Sequence, residues 1–443
     1  MRRTKVKDVY KRIKADDFWG NLAKNFTLAF VGDSVASVMN LVVTVVLIRM
    51  MGNDSYGLLV LGQTYMIVMD VIINVQSWKG VIQYGQQSLV RKDYVQLGQY
   101  VRLGTILDLS TAAACGLISI FLAPLIGSIF HWGSELIGCA QIFSMVIFSH
   151  FAGTPTAVLR LANRFDLVAV QKIVSAFLKL VVFGGLFLTG AQPSLTIVTL
   201  TYVGTETIGN ILLTIFAIRI YQKKFGLKYV FRRRDETVKA EKFIKFTLWG
   251  TIADIVDLPV TYFDMFIVSA LGTDYVAIYK VFKQVINIFQ KVTSSIQQSI
   301  LPQLSELSAK NQKRQGFEVI KKIRNKIIKF GIPLALLMGV TSPLWLKWIY
   351  GDLYAENWLC LLFLLIVQIL ALSYSAIHPY FLALDNSKKS AIYVLIANVL
   401  YMGLAYILIG TLGLMAMAIA FAIQCAVVIG LKAHDIKKEL TYE

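Results

Sequence analysis

Long apolar runs separated by short polar segments dominate this chain. Each run is close to the roughly 20 residues that a helix needs to cross a bilayer. Strand-type alternation is absent from them, and a helix satisfies its backbone hydrogen bonds within one segment. The pattern therefore predicts an all-α integral membrane protein of about twelve transmembrane helices, near residues 26–50, 56–79, 103–130, 137–159, 167–189, 195–220, 244–270, 276–300, 328–350, 358–384, 389–410 and 412–432.

The two halves of the chain carry related sequence. The tripeptide Phe-Thr-Leu at residues 26–28 recurs at residues 246–248, and Gly52 meets Gly272 at the same offset of 220 residues. Because the tripeptides open the first and seventh spans, we predict two pseudo-symmetric six-helix lobes, as in many transporters built from repeats. The predicted order is a basic N-terminus (1–25), an N-lobe (26–221), a basic linker (222–243), a C-lobe (244–432) and a tail (433–443).

Composition and charge agree with this reading. The chain is 56% hydrophobic and 16% charged, whereas soluble domains average about 25% charged residues. The net charge of +18 is gathered in alternate loops, and the loops between them are short and almost free of Lys and Arg. This distribution favours contacts with anionic membrane lipids over nucleic acid, and the positive-inside rule predicts that both termini and all basic loops are cytoplasmic.

Signals for enzymatic or metal chemistry are missing from the sequence. The four cysteines lie in or at the edge of apolar runs without disulfide or metal spacing. No P-loop, HExxH or GxSxG motif occurs, and the charged N-terminus shows no cleavable signal peptide. We therefore predict a transporter without catalytic residues, metal or cofactor.

Polar residues at helical spacing within the spans are the candidate site residues, because ionisable groups in a membrane usually face the bundle interior or a water-filled cavity. In the seventh span Pro259 lies between acids, which predicts a bend. The alternative for each group is a structural role in helix packing, which we prefer for His150 and His378. The candidate cations for substrate binding are Lys172, Lys179, Lys280, Lys283 and Lys291, and the candidate acids for ion coupling are Asp33, Asp70, Glu206, Asp257 and Asp264.

Lysines and carboxylates in one cavity suit a large amphiphile with a phosphate or pyrophosphate head, because lysine acts as a point charge for phosphate. The carboxylates could also carry protons or sodium, so transport could be coupled to an H⁺ or Na⁺ gradient. A cavity for a small cation would need fewer lysines.

Two segments resemble a known family. The first lobe opens with FTLAFVGDSVASVMNLVVTVVLIRMMGNDSYGLLVL at residues 26–61, and the second carries TYFDMFIVSALGTDYVAIYKV at residues 261–281, with Asp264, Gly272 and Tyr275 placed as in that family. These segments resemble bacterial polysaccharide exporters, the O-antigen flippase branch of the multidrug/oligosaccharidyl-lipid/polysaccharide (MOP) exporter superfamily. The lipid II flippases of this superfamily usually have two additional helices, which this chain lacks.

The resemblance implies a V-shaped, two-lobed fold around a central cavity that alternates between inward-open and outward-open states in the bacterial inner membrane. It implies flipping of an undecaprenyl-pyrophosphate-linked oligosaccharide, with cavity cations engaging the lipid-linked anion. A polysaccharide polymerase and a chain-length regulator are the protein partners that would accompany this role. The alternatives are a drug/cation antiporter of the same superfamily, which the lysines disfavour, and a membrane polymerase or glycosyltransferase, which the short outer loops disfavour.

Overall fold

The structure is a computed structural model that describes residues 2–75, 77–231, 240–290, 313–384 and 386–441. Within these ranges the chain is helical and contains no β-strand, which confirms the all-α prediction. The first half contains α1 (Arg2–Ile73), α2 (Trp78–Val90), α3 (Tyr94–Ile129), α4 (Ser134–Ser144), a 3₁₀ turn (Met145–Ser149), α5 (Gly153–Leu161), α6 (Phe165–Leu188), α7 (Leu195–Lys224) and α8 (Lys228–Phe231).

The second half is built in the same way. It contains α9 (Ala240–Val256), a π-helix (Pro259–Phe263), α10 (Asp264–Val268), a 3₁₀ turn (Ser269–Leu271), α11 (273–290 as far as it is described), α12 (Lys313–Tyr350), α13 (Asp352–Glu356), α14 (Trp358–Ser373), α15 (Ile377–Ala383), α16 (Ser387–Leu412) and α17 (Met415–Thr441).

Eight helices in the described ranges are long and apolar enough to cross a bilayer. A ninth span results when the bent pair Ser134–Ser149 and Gly153–Leu161 is counted as one. The first span-forming helix covers Val31–Ile73, which at 43 residues is about twice the length of one crossing. Its backbone breaks at Gly52, where φ is 81° and ψ is 169°. It therefore carries the first two predicted spans.

The seventh predicted span is divided. Helix α9 ends at Val256, and the π-helix that begins at Pro259 leads into α10. Proline has no N–H to donate and its ring clashes with the preceding turn, so the regular α-helix ends shortly before this residue, and the bend predicted there stays a prediction. The eighth predicted span, 276–300, is helical over 276–290, and its remainder lies outside the described residues.

The chain divides into two compact units. Unit 1 comprises Met1–Val46 and Met69–Ile252, and unit 2 comprises Leu47–Val68 and Ala253–Glu443. Residues 47–68, the adjoining ends of the first two spans, are thus grouped with the second half of the chain. The lobe boundaries at 26–221 and 244–432 stay predictions.

Hydrogen bonds inside unit 2 show what holds the 47–68 segment. The Arg49 guanidinium donates to the carbonyl oxygens of Trp348 at 2.9 Å and Ile349 at 3.1 Å. These carbonyls lie in the last turn of α12, where a helix leaves its C=O groups without internal partners. The hydroxyl of Tyr354, which is fully buried, donates to Asn53 Oδ1 at 3.1 Å. The break at Gly52 therefore lies between two anchored side chains.

At Gly57 the backbone of the same segment packs tightly against the start of α11. A Cβ atom at this position would lie 2.1 Å from the carbonyl oxygen of Thr273. We expect Gly57→Ala to lower the free energy of unfolding by about 1–3 kcal/mol through overpacking. Gly403→Ala is the matched control, because no atom lies within 4 Å of its Cβ position in α16. Thermal unfolding in detergent measures both, and equal midpoints would contradict this expectation.

A buried core in unit 1 joins the helices around the site described below. Val81 of α2, Tyr100 of α3, Leu159 of α5, Tyr221 of α7 and Phe243 of α9 belong to one cluster of side chains with little or no exposure. Since packing of apolar faces supplies most helical stability, this cluster fixes the mutual positions of α2, α3 and α5.

Candidate functional site

Two lysines of α6 meet acids within unit 1. Lys172 Nζ lies 2.6 Å from Asp33 Oδ1 of α1, and both side chains are about 40% exposed. Lys179 is buried and donates to Glu206 of α7. Its ammonium also lies 4.8 Å from the centre of the Tyr202 ring, a distance at which cation–π attraction operates. Both predicted cations of unit 1 therefore pair with predicted acids, Lys172 with Asp33 and Lys179 with Glu206.

The two pairs differ in burial, which gives an expected difference in stability. Glu206→Ala leaves the buried Lys179 ammonium without its counter-charge, at a cost of about 3–5 kcal/mol. Asp33→Ala breaks a partly exposed pair, and such pairs contribute about 0–1 kcal/mol. Thermal unfolding of the purified variants in detergent compares them. Equal midpoints of thermal unfolding for Glu206→Ala and Asp33→Ala would show that the Lys179 ammonium is solvated.

In unit 2 a buried polar cluster lies at the start of α10, directly after the π-helix. Asp264, the first residue of α10, is fully buried and accepts from Lys283 Nζ at 2.6 Å and from the Tyr279 hydroxyl at 2.9 Å. The Lys283 ammonium also donates to the carbonyl oxygens of Val260 at 3.1 Å and Thr261 at 2.8 Å. The Lys283 ammonium thus donates both to backbone carbonyls of the π-helix and to one oxygen, Oδ2, of the Asp264 carboxylate.

Lys280 and Asp257 are the other predicted residues of unit 2 that the structure describes. Lys280 is half-buried, and no hydrogen bond or ion pair to it occurs within the described part of the chain. Asp257 is exposed, and its carbonyl oxygen accepts from the Thr261 hydroxyl at 2.7 Å. Lys291 lies outside the described residues.

A cavity of about 370 Å³ lies in unit 1 where the fourth predicted span is broken. Between the 3₁₀ turn that ends at Ser149 and the start of α5 at Gly153, the helix axis bends by 40°. The Arg160 guanidinium lies 4.9 Å from the centre of the Trp78 ring, and Lys79 Nζ lies 5.5 Å from it. We call this cavity the Arg160 pocket, and it is lined by Asp70, Trp78, His150, Ala152, Gly153, Thr156 and Arg160.

Asp108 of α3 holds the walls of the Arg160 pocket together. Its carboxylate, 1% exposed, accepts from the backbone N–H of Ser77 at 2.8 Å and from the N–H and hydroxyl of Thr154 at 2.7 Å each. These donors precede Trp78 and open α5. One carboxylate therefore satisfies N–H groups at the starts of two helices, where no intrahelical acceptor exists.

His150 and Asp70 form a hydrogen-bonded part of the pocket lining. His150 Nδ1 lies 3.0 Å from Asp70 Oδ2, and the other carboxylate oxygen accepts from Asn74 Nδ2 at 2.9 Å. The Asn74 side chain is fixed in turn by the Thr111 hydroxyl, which donates to its Oδ1 at 2.8 Å. Asp70, a predicted coupling acid, is thus paired with a histidine that we interpreted as structural.

Sequence reasoning did not identify Arg160 and Trp78 as site residues. Arg160 directly follows the fourth predicted span, and Trp78 lies at the end of the second. Neither position indicates a binding site, and the two side chains come together where the helix breaks at residues 150–152. No spacing in the chain marks that meeting.

The chemistry available in the Arg160 pocket is hydrogen bonding and charge recognition. Arginine presents five N–H donors in a planar fork, and imidazole, carboxylate and threonine hydroxyl complete the lining. No cluster of three or more His, Cys, Asp or Glu side chains suited to a metal ion occurs among the residues that the structure describes.

The chain matches one protein family and is similar to two bacterial proteins. The profile of a family described as "Polysaccharide biosynthesis protein" matches residues 22–308. The chain is 31% identical over 124 residues to the inner membrane protein YghQ of Escherichia coli (strain K12), covering 28% of this chain and 35% of that protein. It is 26% identical over 279 residues to a putative O-antigen transporter of Shigella flexneri, covering 61% and 62%. The chain thus matches less than two thirds of either relative's length.

Solved transporter structures share the fold over nearly the whole chain. A multidrug resistance MATE family transporter of the MOP superfamily, in an inward-facing conformation, superposes with a TM-score of 0.74 at 13% identity and covers 94% of this chain and 98% of that one. A MOP superfamily transporter from Pyrococcus furiosus, described as having a binding pocket of reversed polarity, superposes with a TM-score of 0.64 at 15% identity and covers 95% of both chains. The fold is therefore that of MOP superfamily transporters.

Proposed function

Because the chain belongs to the polysaccharide biosynthesis protein family, we propose that it is a flippase of that family. In this proposal it moves an undecaprenyl-pyrophosphate-linked oligosaccharide of O-antigen type across the bacterial cytoplasmic membrane by alternating access. The shared fold with MOP transporters and the similarity to an O-antigen transporter support the proposal. The cytoplasmic placement of both termini belongs to it as a prediction.

The observation that carries the proposal is the balance of charge inside the units. Candidate acids are paired with basic side chains in Asp33–Lys172, Asp70–His150, Glu206–Lys179 and Asp264–Lys283. Arg160 and Lys280 are among the cations that have no acid within ion-pair distance in the described ranges. A transporter of cationic drugs needs acids that are available to its substrate, whereas this arrangement leaves positive charge available. It therefore favours an anionic substrate over the drug/cation antiporter.

A flipping assay tests the proposal. The purified chain is reconstituted into vesicles with undecaprenyl-pyrophosphate-linked oligosaccharide that carries a fluorophore, and an impermeant quencher reports the accessible fraction. We expect the quenched fraction to rise above one leaflet's share only in vesicles that contain the protein. A parallel assay with a cationic dye tests the antiporter alternative. Dye transport without movement of the labelled lipid would reject the flippase.

Coupling to an ion gradient is part of the same proposal, and we place it at Asp264. The carboxylate is buried beside a divided helix, and half-helices around a cavity are a recurring site of ion binding in secondary transporters. Protonation of the Asp264 carboxylate would weaken its ion pair with the Lys283 ammonium, and Na⁺ could take the place of that ammonium beside the carboxylate. Either event would change the hydrogen bonds that Lys283 donates to the π-helix. A polysaccharide polymerase and a chain-length regulator are the proposed protein partners of the pathway.

A further inference from the structure

We propose that the Arg160 pocket binds a phosphate-type oxyanion, and that Arg160 and His150 are its ligands. The identity of that oxyanion as the diphosphate of the transported lipid rests on the proposed function. The recognition chemistry itself rests on four features of unit 1: a guanidinium without a protein acceptor in the described ranges, a rigid frame, a neutralised acid and a cavity of suitable size.

The Arg160 guanidinium has donors to spare. It is half-buried against the Trp78 ring at 4.9 Å, and none of its N–H groups has a hydrogen-bond acceptor within the part of the chain that the structure describes. A cation–π contact with Trp78 uses none of the guanidinium N–H donors, and arginine uses these donors for bidentate phosphate contacts. Because these N–H groups have no protein acceptor in the described ranges, they are available to form charge-assisted hydrogen bonds with an anion in the pocket.

The frame of the Arg160 pocket is rigid before any ligand arrives. The buried Asp108 carboxylate binds Ser77 N–H at 2.8 Å and Thr154 N–H at 2.7 Å, which sets Trp78 and the first turn of α5. The ring of His150 is oriented by its contact with Asp70 at 3.0 Å. A site that is ordered during folding loses less entropy when it binds.

Negative charge near the Arg160 pocket is already engaged. Both oxygens of Asp70 have partners, in His150 and Asn74. Asp33 is close enough to influence Arg160 electrostatically, but its Oδ1 receives Lys172 Nζ at 2.6 Å. An incoming oxyanion therefore meets Arg160 without an adjacent unpaired carboxylate to repel it.

The size of the Arg160 pocket fits a head group and not a whole lipid. Its volume of about 370 Å³ is at the lower end of the roughly 300–1,000 Å³ found for ligand sites. A diphosphate, or the phosphate of a membrane lipid, presents the same oxygens to Arg160. The two sources share their recognition chemistry, and the lipid composition of the assay separates them.

Binding of inorganic pyrophosphate tests the site. The full chain is placed in phosphatidylcholine nanodiscs and titrated with pyrophosphate while tryptophan fluorescence is recorded. The Trp78→Phe variant shows how much of the fluorescence change comes from Trp78. We expect Arg160→Gln to weaken binding at least tenfold. Arg164→Gln is the matched control, because its guanidinium already binds Asp166 through three hydrogen bonds of 2.7–3.1 Å, and its affinity is expected to stay within twofold of the wild type.

Arg160→Lys keeps the proposal testable if the glutamine variant fails to fold. It retains the positive charge and loses the planar fork, so we expect weaker binding than in the wild type. Wild-type affinity in a folded Arg160 variant, or equal losses in the Arg160 and Arg164 variants, would overturn the site.

Nanodiscs that contain phosphatidylglycerol identify the source of the oxyanion. Competition by this lipid would support the site and assign it to membrane head groups, whereas binding that is unchanged would support the site for a diphosphate. Failure of the proposed function can be distinguished from failure of the site. If the wild-type protein binds pyrophosphate through Arg160 but does not flip the labelled lipid, only the flippase proposal is overturned. Wild-type flipping with unaltered binding by Arg160→Gln overturns only the site.

Discussion

Asp108→Ala is expected to be among the most destabilising substitutions in unit 1. The variant removes the acceptor of two backbone N–H groups and one hydroxyl, all in a buried setting. Each buried donor left unsatisfied costs about 1–3 kcal/mol, and the starts of α2 and α5 lose their common attachment. We therefore expect little folded protein to be recovered, as measured by size-exclusion chromatography and thermal unfolding in detergent.

Two further substitutions make the Asp108 experiment specific. Asp108→Asn keeps the shape but turns one oxygen into an N–H₂ donor that faces other donors, so it should be destabilising as well. Asp93→Ala is the control, because Asp93 also accepts a backbone N–H, from Gln96 at 2.9 Å at the start of α3, but is not buried. Loss of such a cap costs about 1 kcal/mol. If Asp108→Ala is no less stable than Asp93→Ala, the hydrogen bonds of Asp108 to Ser77 and Thr154 do not hold the Arg160 pocket together.

The second large effect is expected at Asp264. Its buried carboxylate receives Lys283 at 2.6 Å, Tyr279 at 2.9 Å and, more weakly, Tyr401 at 3.4 Å. Asp264→Asn preserves the size of the side chain but removes its negative charge and its ability to take up and release a proton. We expect the variant to insert and fold while its flipping rate no longer responds to an imposed pH or sodium gradient, a loss of at least tenfold in the gradient-driven component.

Asp352→Asn is the matched control for this measurement in unit 2. Asp352 is paired with Lys347 at 2.7 Å, but both side chains are about 70% exposed, so its removal should leave the gradient response unchanged. Lys283→Ala separates packing from coupling, since it strands a buried carboxylate and should destabilise by about 3–5 kcal/mol. Wild-type gradient sensitivity in Asp264→Asn would assign the cluster to helix packing alone.

Much of the architecture followed from the sequence because membrane-spanning helices are defined by local properties. The apolar runs, their lengths and the basic loops depend on neighbouring residues and on the thickness of the bilayer. The break at Pro259 is equally local, since it comes from the missing N–H of one residue. The structure bears out the helices and this break, and the family match bears out the resemblance.

The partners of the candidate residues could not be predicted in the same way. Helical spacing placed lysines and acids on particular helix faces, but the pairing of Lys172 with Asp33 crosses 139 positions of the chain. Which acid meets which lysine depends on the packing of helices, and packing is decided by many small apolar contacts. Asp70 illustrates the limit, because its partner His150 is 80 positions away.

By itself, then, the sequence determined the all-helical membrane fold, the broken seventh span and the set of ionisable residues in the spans, because each depends on short-range chemistry. Only the tertiary structure decided that most candidate acids are neutralised and that Arg160 is not. The Arg160 pocket exists because Asp108 joins α2 to α5 and because the fourth span bends by 40°. Both are products of long-range packing, which leaves no periodic signal along the chain.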